Sequence, residues 1–265
     1  MQTDSNILQI DNLSKYFGGL AAVKDCSIKI KKGSITGIIG PNGSGKTTLF
    51  NLIAGNLKSS KGTVLFNNED ITDVPSYELF SKGLLRTFQI AHEFSNLTVL
   101  ENLMMVPSNQ SGENLLTALF NRKLVKKEEE KLRGKAYEVI KFLNLTHLAN
   151  ELAGNLSGGQ KKLLELGRTM MVDAKLVLLD EVGAGVNRTL LKDLGTAILK
   201  LNKEKGYTFC MIEHDMDFIS RMCDPVIVMA EGSVLFEGTS DAVKKNERVI
   251  ESYLGRANKN LGENN

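Results

Sequence analysis

Eight residues from Gly40 to Thr47 combine glycines, one lysine and hydroxyl side chains at a spacing suited to binding phosphate. They fit the pattern GxxxxGK[ST] and read Gly40, Pro41, Asn42, Gly43, Ser44, Gly45, Lys46 and Thr47. The apolar run Ile35–Ile39 predicts a strand before them, and a helical pattern begins at Thr48, which is the context that the motif requires. Glycines let backbone N–H groups approach phosphate oxygens closely, and the helix N-terminus adds partial positive charge. The pattern predicts that Lys46 neutralises the outer phosphates of a nucleotide and that Thr47 ligates Mg²⁺. The alternative is a glycine-rich turn.

Two adjacent carboxylates follow a second apolar run, Leu176 to Leu179. Acids at the end of a buried strand are costly unless they serve a cation or a reaction. Successive side chains of a strand point to opposite faces, so the two acids are expected to have different tasks. We expect Asp180 to hold Mg²⁺, directly or through water, and Glu181 to act as general base on an attacking water. Taken alone, the pair could also be a capped strand end.

A third motif begins a helix whose apolar positions keep helical spacing. It reads Leu156, Ser157, Gly158, Gly159 and Gln160. Ser157 is predicted to cap this helix, and the two glycines leave helix-start N–H groups accessible to an anion.

The elements that must position these motifs follow from the apolar pattern. Strands are predicted at 7–10, 27–30, 35–39, 63–66, 176–179, 207–212, 226–229 and 234–236. Helical patterns separate several of them, which predicts an α/β fold with a mostly parallel sheet and antiparallel additions near both ends. Strand signals stop between 93 and 174, so a helical subdomain is expected there, inserted into a core of 7–92 and 175–255. Residues 1–255 would form one domain, and 256–265 a polar tail.

Composition and charge argue against a nucleic-acid-binding, a disulfide-stabilised and a membrane-spanning protein. The 265 residues are 42% hydrophobic and 24% charged, with a net charge of +2, so we expect no nucleic-acid partner. Three cysteines without a CxxC pair suit a reducing compartment. The polar N-terminus lacks the parts of a signal peptide, and no run of about 18 apolar residues is present, so we expect a soluble, cytosolic chain.

The Leu156–Gln160 motif, between the phosphate loop and the Asp180–Glu181 strand, resembles the signature of the ABC ATPase family. The resemblance runs from Leu8 to about Leu254 and implies roles for three more residues. Gln89 would reach the metal and report to a permease, His214 would contact the γ-phosphate, and Phe17 would stack on adenine. The alternatives are a structural histidine and a core phenylalanine, but the order and spacing of the three residues together match the family's pattern.

The loop after Glu181 departs from the family's pattern. The family usually has a proline after the glutamate and ends the loop in aspartate, whereas this chain has Val182 and Asn187 at those positions. Loss of the rigid φ and of the charge is expected to soften contacts across a dimer, without removing the base.

The family's architecture implies partners for this chain. Nucleotide lies between the phosphate loop of one subunit and the signature of another, so one copy of each motif implies an ATP-sandwich dimer, either a homodimer or a heterodimer with a second ABC ATPase. A monomer should be nearly inactive. Transmembrane permease subunits would be contacted near Gln89 and the helical subdomain, with the chain peripheral on the inner face of the cell membrane.

Several segments resemble the ATPase of branched-chain amino-acid importers. They are Phe17–Val23, the extended region between Gln89 and the signature, the loop ending in Asn187, and Val249–Gly255. Such systems usually pair two ATPases with two permeases and an external solute-binding protein. Urea-type importers and the lipopolysaccharide-export ATPase are alternatives. A non-transport regulatory ABC ATPase is a further one, although those generally carry two cassettes or a long coiled-coil insertion. A P-loop kinase would leave the signature unexplained.

Overall fold

The computed structural model describes residues 6–87, 93–108, 110–113 and 120–253, and within them ten strands form two sheets. The strands are β1 (Asn6–Phe17), β2 (Leu20–Lys31), β3 (Ile35–Ile39), β4 (Lys61–Phe66), β5 (Glu69–Asp70), β6 (Leu84–Arg86), β7 (Leu176–Asp180), β8 (Thr208–Ile212), β9 (Val226–Ala230) and β10 (Ser233–Gly238).

The first sheet is antiparallel and has the order β2-β1-β4-β5. Strands β1 and β2 form a long hairpin in which Phe17 pairs with Leu20. Gly18 has a φ of 57° and supplies the left-handed residue of its tight turn.

The second sheet has the order β10-β9-β3-β8-β7-β6 and is parallel except for β10. Every residue of β3, β7 and β8 is buried. Strands covered on both faces are continuous apolar runs, which is why these segments do not alternate. The predicted α/β class, with its mostly parallel sheet and antiparallel additions, is confirmed.

Two short strands were not predicted from sequence. Strand β6 has three residues and pairs in parallel with β7, placing Arg86 opposite Leu178. Strand β5 has two residues. Segments this short give no periodic signal, so only pairing with a neighbour defines them.

Eight helices with determined bounds lie in the described residues. They are α1 (Lys46–Ile53), α2 (Ser76–Lys82), α3 (Val99–Met104), α4 (Arg122–Phe142), α5 (Gly158–Met170), α6 (Arg188–Lys205), α7 (Met216–Met222) and α8 (Ser240–Lys245). Short 3-10 helices occupy Ser111–Glu113, Thr146–Leu148 and Ala153–Asn155, and residues 247–253 are also helical.

The chain divides into two compact units. The first comprises Met1–Arg86, Lys175–Gly183 and Leu199–Asn265, and the second comprises Thr87–Ala174 and Ala184–Ile198. Both sheets belong to the first unit. The second is helical in its described part and contains α3, α4 and α5.

No helix among the described residues has the length and apolar composition needed to cross a bilayer. The three cysteines, Cys26, Cys210 and Cys223, are buried and unpaired. Burial raises the pKa of the Cys26 thiol to about 12, so this group is a small apolar side chain rather than a nucleophile.

Helix α1 is anchored in the core of the first unit by Phe50, which is fully buried. We expect Phe50→Ala to lower the free energy of unfolding by about 3–5 kcal/mol, because it removes apolar contacts and leaves a cavity. Denaturant unfolding measures this change. Phe120→Ala is the control, because Phe120 is 84% exposed and its truncation should change stability by less than about 0.5 kcal/mol. Equal losses in the two variants would contradict the described core.

Candidate functional site

The predicted phosphate-binding loop connects β3 to α1, and two of its glycines are required by their surroundings. A Cβ on Gly40 would lie 2.1 Å from the carbonyl oxygen of Met229. One on Gly45 would lie 2.4 Å from the carbonyl oxygen of Ala22. Both glycines also have positive φ values, 150° and 99°. The loop backbone is therefore packed against β2 and β9 where no side chain fits.

Lys46 is folded along this loop. Its side chain is 6% exposed, and its Nζ donates to the carbonyl oxygens of Gly40 at 2.8 Å and Pro41 at 3.1 Å. Thr47 lies on the exposed side of the first turn of α1, and Thr48 is half-buried. The loop therefore places a cation and a hydroxyl at the start of one helix.

The catalytic candidates come from neighbouring parallel strands. Strands β3, β8 and β7 are adjacent, and each ends at the same edge of the sheet. Gly40 follows β3, Asp180 ends β7, and His214 comes two residues after β8. Carboxyl ends of parallel strands are where α/β sheets bind ligands, so the topology gathers these groups at one edge.

Glu181 and His214 form a pair at this edge. The distance from His214 Nε2 to Glu181 Oε1 is 2.9 Å, and the two side chains are 48% and 22% exposed, respectively. Glu181 has a φ of 49°, an uncommon left-handed conformation for a residue other than glycine. Its N–H donates to the carbonyl oxygen of Ile212 at 2.9 Å, which ties this turn to β8. The carboxylate is thus oriented by a partner and open to solvent, as a general base requires.

Asp180 has a different partner. It is 2% exposed, and its Oδ2 accepts from Nη2 of Arg86 at 2.6 Å. Arg86 also donates to the side-chain oxygen of Asn51 on α1. The guanidinium therefore compensates a buried carboxylate that would otherwise be costly. Sequence reasoning missed this role, because it depends on the pairing of β6 with β7.

The Leu156–Gln160 motif lies in the second unit and opens α5 as predicted for a capped helix. The N–H of Gln160 donates to Ser157 Oγ at 3.4 Å, and the N–H of Ser157 donates to the Gln160 side chain at 2.9 Å. This reciprocal pair is a capping box. A Cβ on Gly159 would lie 2.4 Å from Leu190 Cδ1, and Gly158 is exposed.

Phe17 ends β1 and is 49% exposed, with Lys15 Nζ 5.2 Å from the centre of its ring. An exposed ring beside the strand that packs on the phosphate loop is available for stacking. Gln89 lies in the segment 88–92, outside the described residues.

In the loop after Glu181, the structure places the two residues that depart from the family's pattern, Val182 and Asn187. Val182 is buried, and the N–H of Gly183 donates to the side chain of Glu213 at 2.7 Å. Asn187 accepts from the N–H of Leu190 at 2.9 Å and so caps the start of α6. Asn187 therefore keeps the side-chain oxygen that aspartate would provide as a helix cap, but without the negative charge.

Comparison with known proteins identifies the class. Residues 23–184 match the ABC transporter family, which is more than half of the chain. The chain therefore belongs to the ABC transporter family as one of its ATPase subunits. Residues 233–258 match the C-terminal segment of the branched-chain amino acid ATP-binding cassette transporter family.

Individual relatives give the same assignment. The chain is 45% identical over 249 residues to a probable branched-chain amino acid transport ATP-binding protein, LivG, of Archaeoglobus fulgidus, covering 94% of this chain and 95% of the relative. It is similar to the ADP conformation of an ATP-binding cassette of an ABC transporter, with a TM-score of 0.81, 42% identity, and coverage of 95% and 99%. A dimeric cassette bound to ADP and Pi has a TM-score of 0.72 at 26% identity, with coverage of 88% and 98%. The chain is thus an ATPase of the ABC transporter family, and the LivG relative is a probable branched-chain amino acid transport ATP-binding protein.

The ion pair between Arg86 and Asp180 can be tested without nucleotide. We expect Arg86→Gln to lower the free energy of unfolding by about 3–5 kcal/mol, because the buried Asp180 charge loses its partner. Adding Asp180→Asn should recover most of that loss, and chemical denaturation of the single and double variants measures the coupling. Strictly additive effects would mean that the two side chains do not stabilise each other.

Proposed function

We propose that this chain hydrolyses ATP to energise an importer of branched-chain amino acids, through permease subunits that it does not itself contain. The observation that carries the chemistry is the Glu181–His214 pair, 2.9 Å apart, on the same sheet edge as the phosphate loop. The match of residues 233–258 and the LivG relative support the choice of substrate class.

The residues of the loop have separate tasks in this proposal. Backbone N–H groups from Gly43 to Thr48 surround the β- and γ-phosphates, and Lys46 exchanges its bonds to loop carbonyls for bonds to phosphate oxygens. Phe17 supports the adenine ring by stacking.

Glu181 takes the proton from the attacking water, and His214 contacts the γ-phosphate while orienting Glu181. Proton abstraction by a positioned carboxylate contributes about 10²–10⁴-fold to such reactions. The 22% exposure of the Glu181 side chain leaves room for the water that it activates.

Mg²⁺ fits the groups present. Thr47 supplies a hydroxyl and Asp180 a carboxylate, the hard oxygen ligands that this ion prefers together with substrate phosphates and water. No cluster of three or more ionisable metal ligands occurs among the described residues. When bound, Mg²⁺ neutralises charge on the phosphate oxygens. We assign Gln89 to the same ion on the resemblance alone.

We further propose that two cassettes close on ATP, with the Ser157–Gln160 motif of one facing the phosphate loop of the other. Helix α5 begins at this motif, so its N-terminal dipole and the exposed Gly158 would face the γ-phosphate. The dimeric relative bound to ADP and Pi supports this arrangement. The second cassette is either another copy of this chain or a different ABC ATPase.

The assembled transporter places this chain on the inner face of the cell membrane, contacting the permeases near Gln89 and the helical subdomain. An external solute-binding protein acts on it only indirectly, through the permeases. Closure and release of the cassettes on ATP binding and hydrolysis then drive the permeases between conformations.

Glu181→Gln should lower steady-state ATP hydrolysis by at least about 100-fold, because the amide cannot accept the proton of water. ATP binding should be unchanged, and an ATP-dependent dimer should persist in this variant. Phosphate release and size-exclusion chromatography measure the two properties. Glu237→Gln, an exposed acid on β10, is the control. Undiminished hydrolysis in Glu181→Gln would show that another group is the base.

Lys46→Ala should weaken ATP binding by at least about tenfold, because the outer phosphates lose their cation. Equilibrium binding of a fluorescent ATP analogue checks this, with the exposed Lys61→Ala as control. Parental affinity in Lys46→Ala would contradict the assignment of the loop.

Substrate class is tested by recovering the tagged chain from gently solubilised native membranes. Two permeases and a second ATPase, with hydrolysis stimulated by an external amino-acid-binding protein, are the expected result. Recovery of a lipopolysaccharide-export permease would change the proposed function from import to export and leave the assignment of ATP hydrolysis unchanged. Only soluble partners would rule out the transporter assignment for this chain.

A further inference from the structure

Glu213 is a buried carboxylate at the catalytic edge that the mechanism above does not use. It stands between the end of β8 and His214 and is 5% exposed. Burial raises the pKa of its carboxyl, an effect to which the charge of Glu181 adds. A buried acid in this position is costly, so its contacts require an explanation.

Both oxygens of Glu213 accept hydrogen bonds from the backbone. Oε1 accepts from the N–H of Gly183 at 2.7 Å, and Oε2 accepts from the N–H of His214 at 3.3 Å. One carboxylate therefore joins the loop that follows the catalytic base to the loop that carries the catalytic histidine. These two loops hold the partners of the 2.9 Å pair between Glu181 and His214.

The loop after Glu181 needs such a restraint. Glu181 is in a left-handed conformation with a φ of 49°, and the residues that follow are Val182 and Gly183. Neither has the ring that fixes φ in proline. Within the described residues, the N–H of Val182 makes no backbone hydrogen bond. The next N–H along the loop, that of Gly183, is bound by the carboxylate of Glu213.

We propose that Glu213 is a positioning residue for hydrolysis, which fixes the orientation of Glu181 by holding the backbone of Gly183. The proposal rests on the assignment of Glu181 as the general base. Among the described residues, the hydrogen bonds of the Glu213 carboxylate come from backbone N–H groups, so it would act through Glu181 and His214 and not on the nucleotide.

The test compares variants of the full chain in steady-state hydrolysis and in equilibrium ATP binding. Glu213→Ala should lower kcat by about 10- to 100-fold, as expected for a misplaced catalytic group, with the KM and Kd for ATP within about twofold. Glu213→Gln keeps one carbonyl oxygen for the Gly183 N–H and should retain more activity than Glu213→Ala.

A second restraint should substitute for the first. Val182→Pro fixes φ directly after Glu181 without removing a backbone hydrogen bond, so it should raise the kcat of Glu213→Ala at least about threefold. Val177→Ala, in the buried strand β7, is the control for general loss of stability and should keep kcat within about twofold of the parent. Circular dichroism shows whether each variant is folded.

Parental kcat in Glu213→Ala would overturn the proposal. So would a loss that appears in KM and Kd rather than in kcat, or a loss of kcat that is no smaller in Glu213→Gln and that Val182→Pro does not relieve. Glu181→Gln in the same assay distinguishes failure of this proposal from failure of the general-base assignment of Glu181. If that variant hydrolyses ATP normally, the base is misassigned, whatever the Glu213 variants do.

Discussion

The candidate site, at the edge where β3, β8 and β7 end, depends on the register of the parallel sheet at Ile212. Ile212 pairs with Ile38 on β3 and with Asp180 on β7, so one residue sets the relative positions of three strands. Each strand then ends in a loop that carries one part of the site. A slip by one residue would exchange the side chains on the two buried faces of β8, so close packing on both faces holds the register and with it the geometry of the site.

Three carboxylates lie at this edge, and each is compensated in a different way. Asp180 accepts from a guanidinium, Glu181 is paired with a histidine, and Glu213 accepts from two backbone N–H groups. Each acid thus has hydrogen-bond partners of its own. The arrangement therefore allows adjacent acids to have different tasks.

The sequence was sufficient for features that depend on neighbours along the chain. The phosphate loop, the strand that ends in Asp180, and the helix capped by Ser157 all have local patterns, and the structure contains each of these elements. Arg86 and Glu213 were missed because their roles depend on contacts with residues far away in sequence, made across strands. Strand β6, which positions Arg86, is too short to have a pattern of its own. Non-local pairing is thus the information that a single sequence did not supply.

In the proposed phosphate-binding role, the contacts of Lys46 affect which anions the loop would bind. Folding has already immobilised this long side chain, so a ligand does not bear the entropy of ordering it, which is about 1.5–2 kcal/mol for lysine. A ligand must instead displace the carbonyl oxygens of Gly40 and Pro41 from the ammonium group. A weakly charged anion gains little from that exchange, whereas a polyphosphate gains charge-assisted bonds. The preorganised lysine therefore favours ligands with a high density of negative charge, independently of any contact with the base or the sugar.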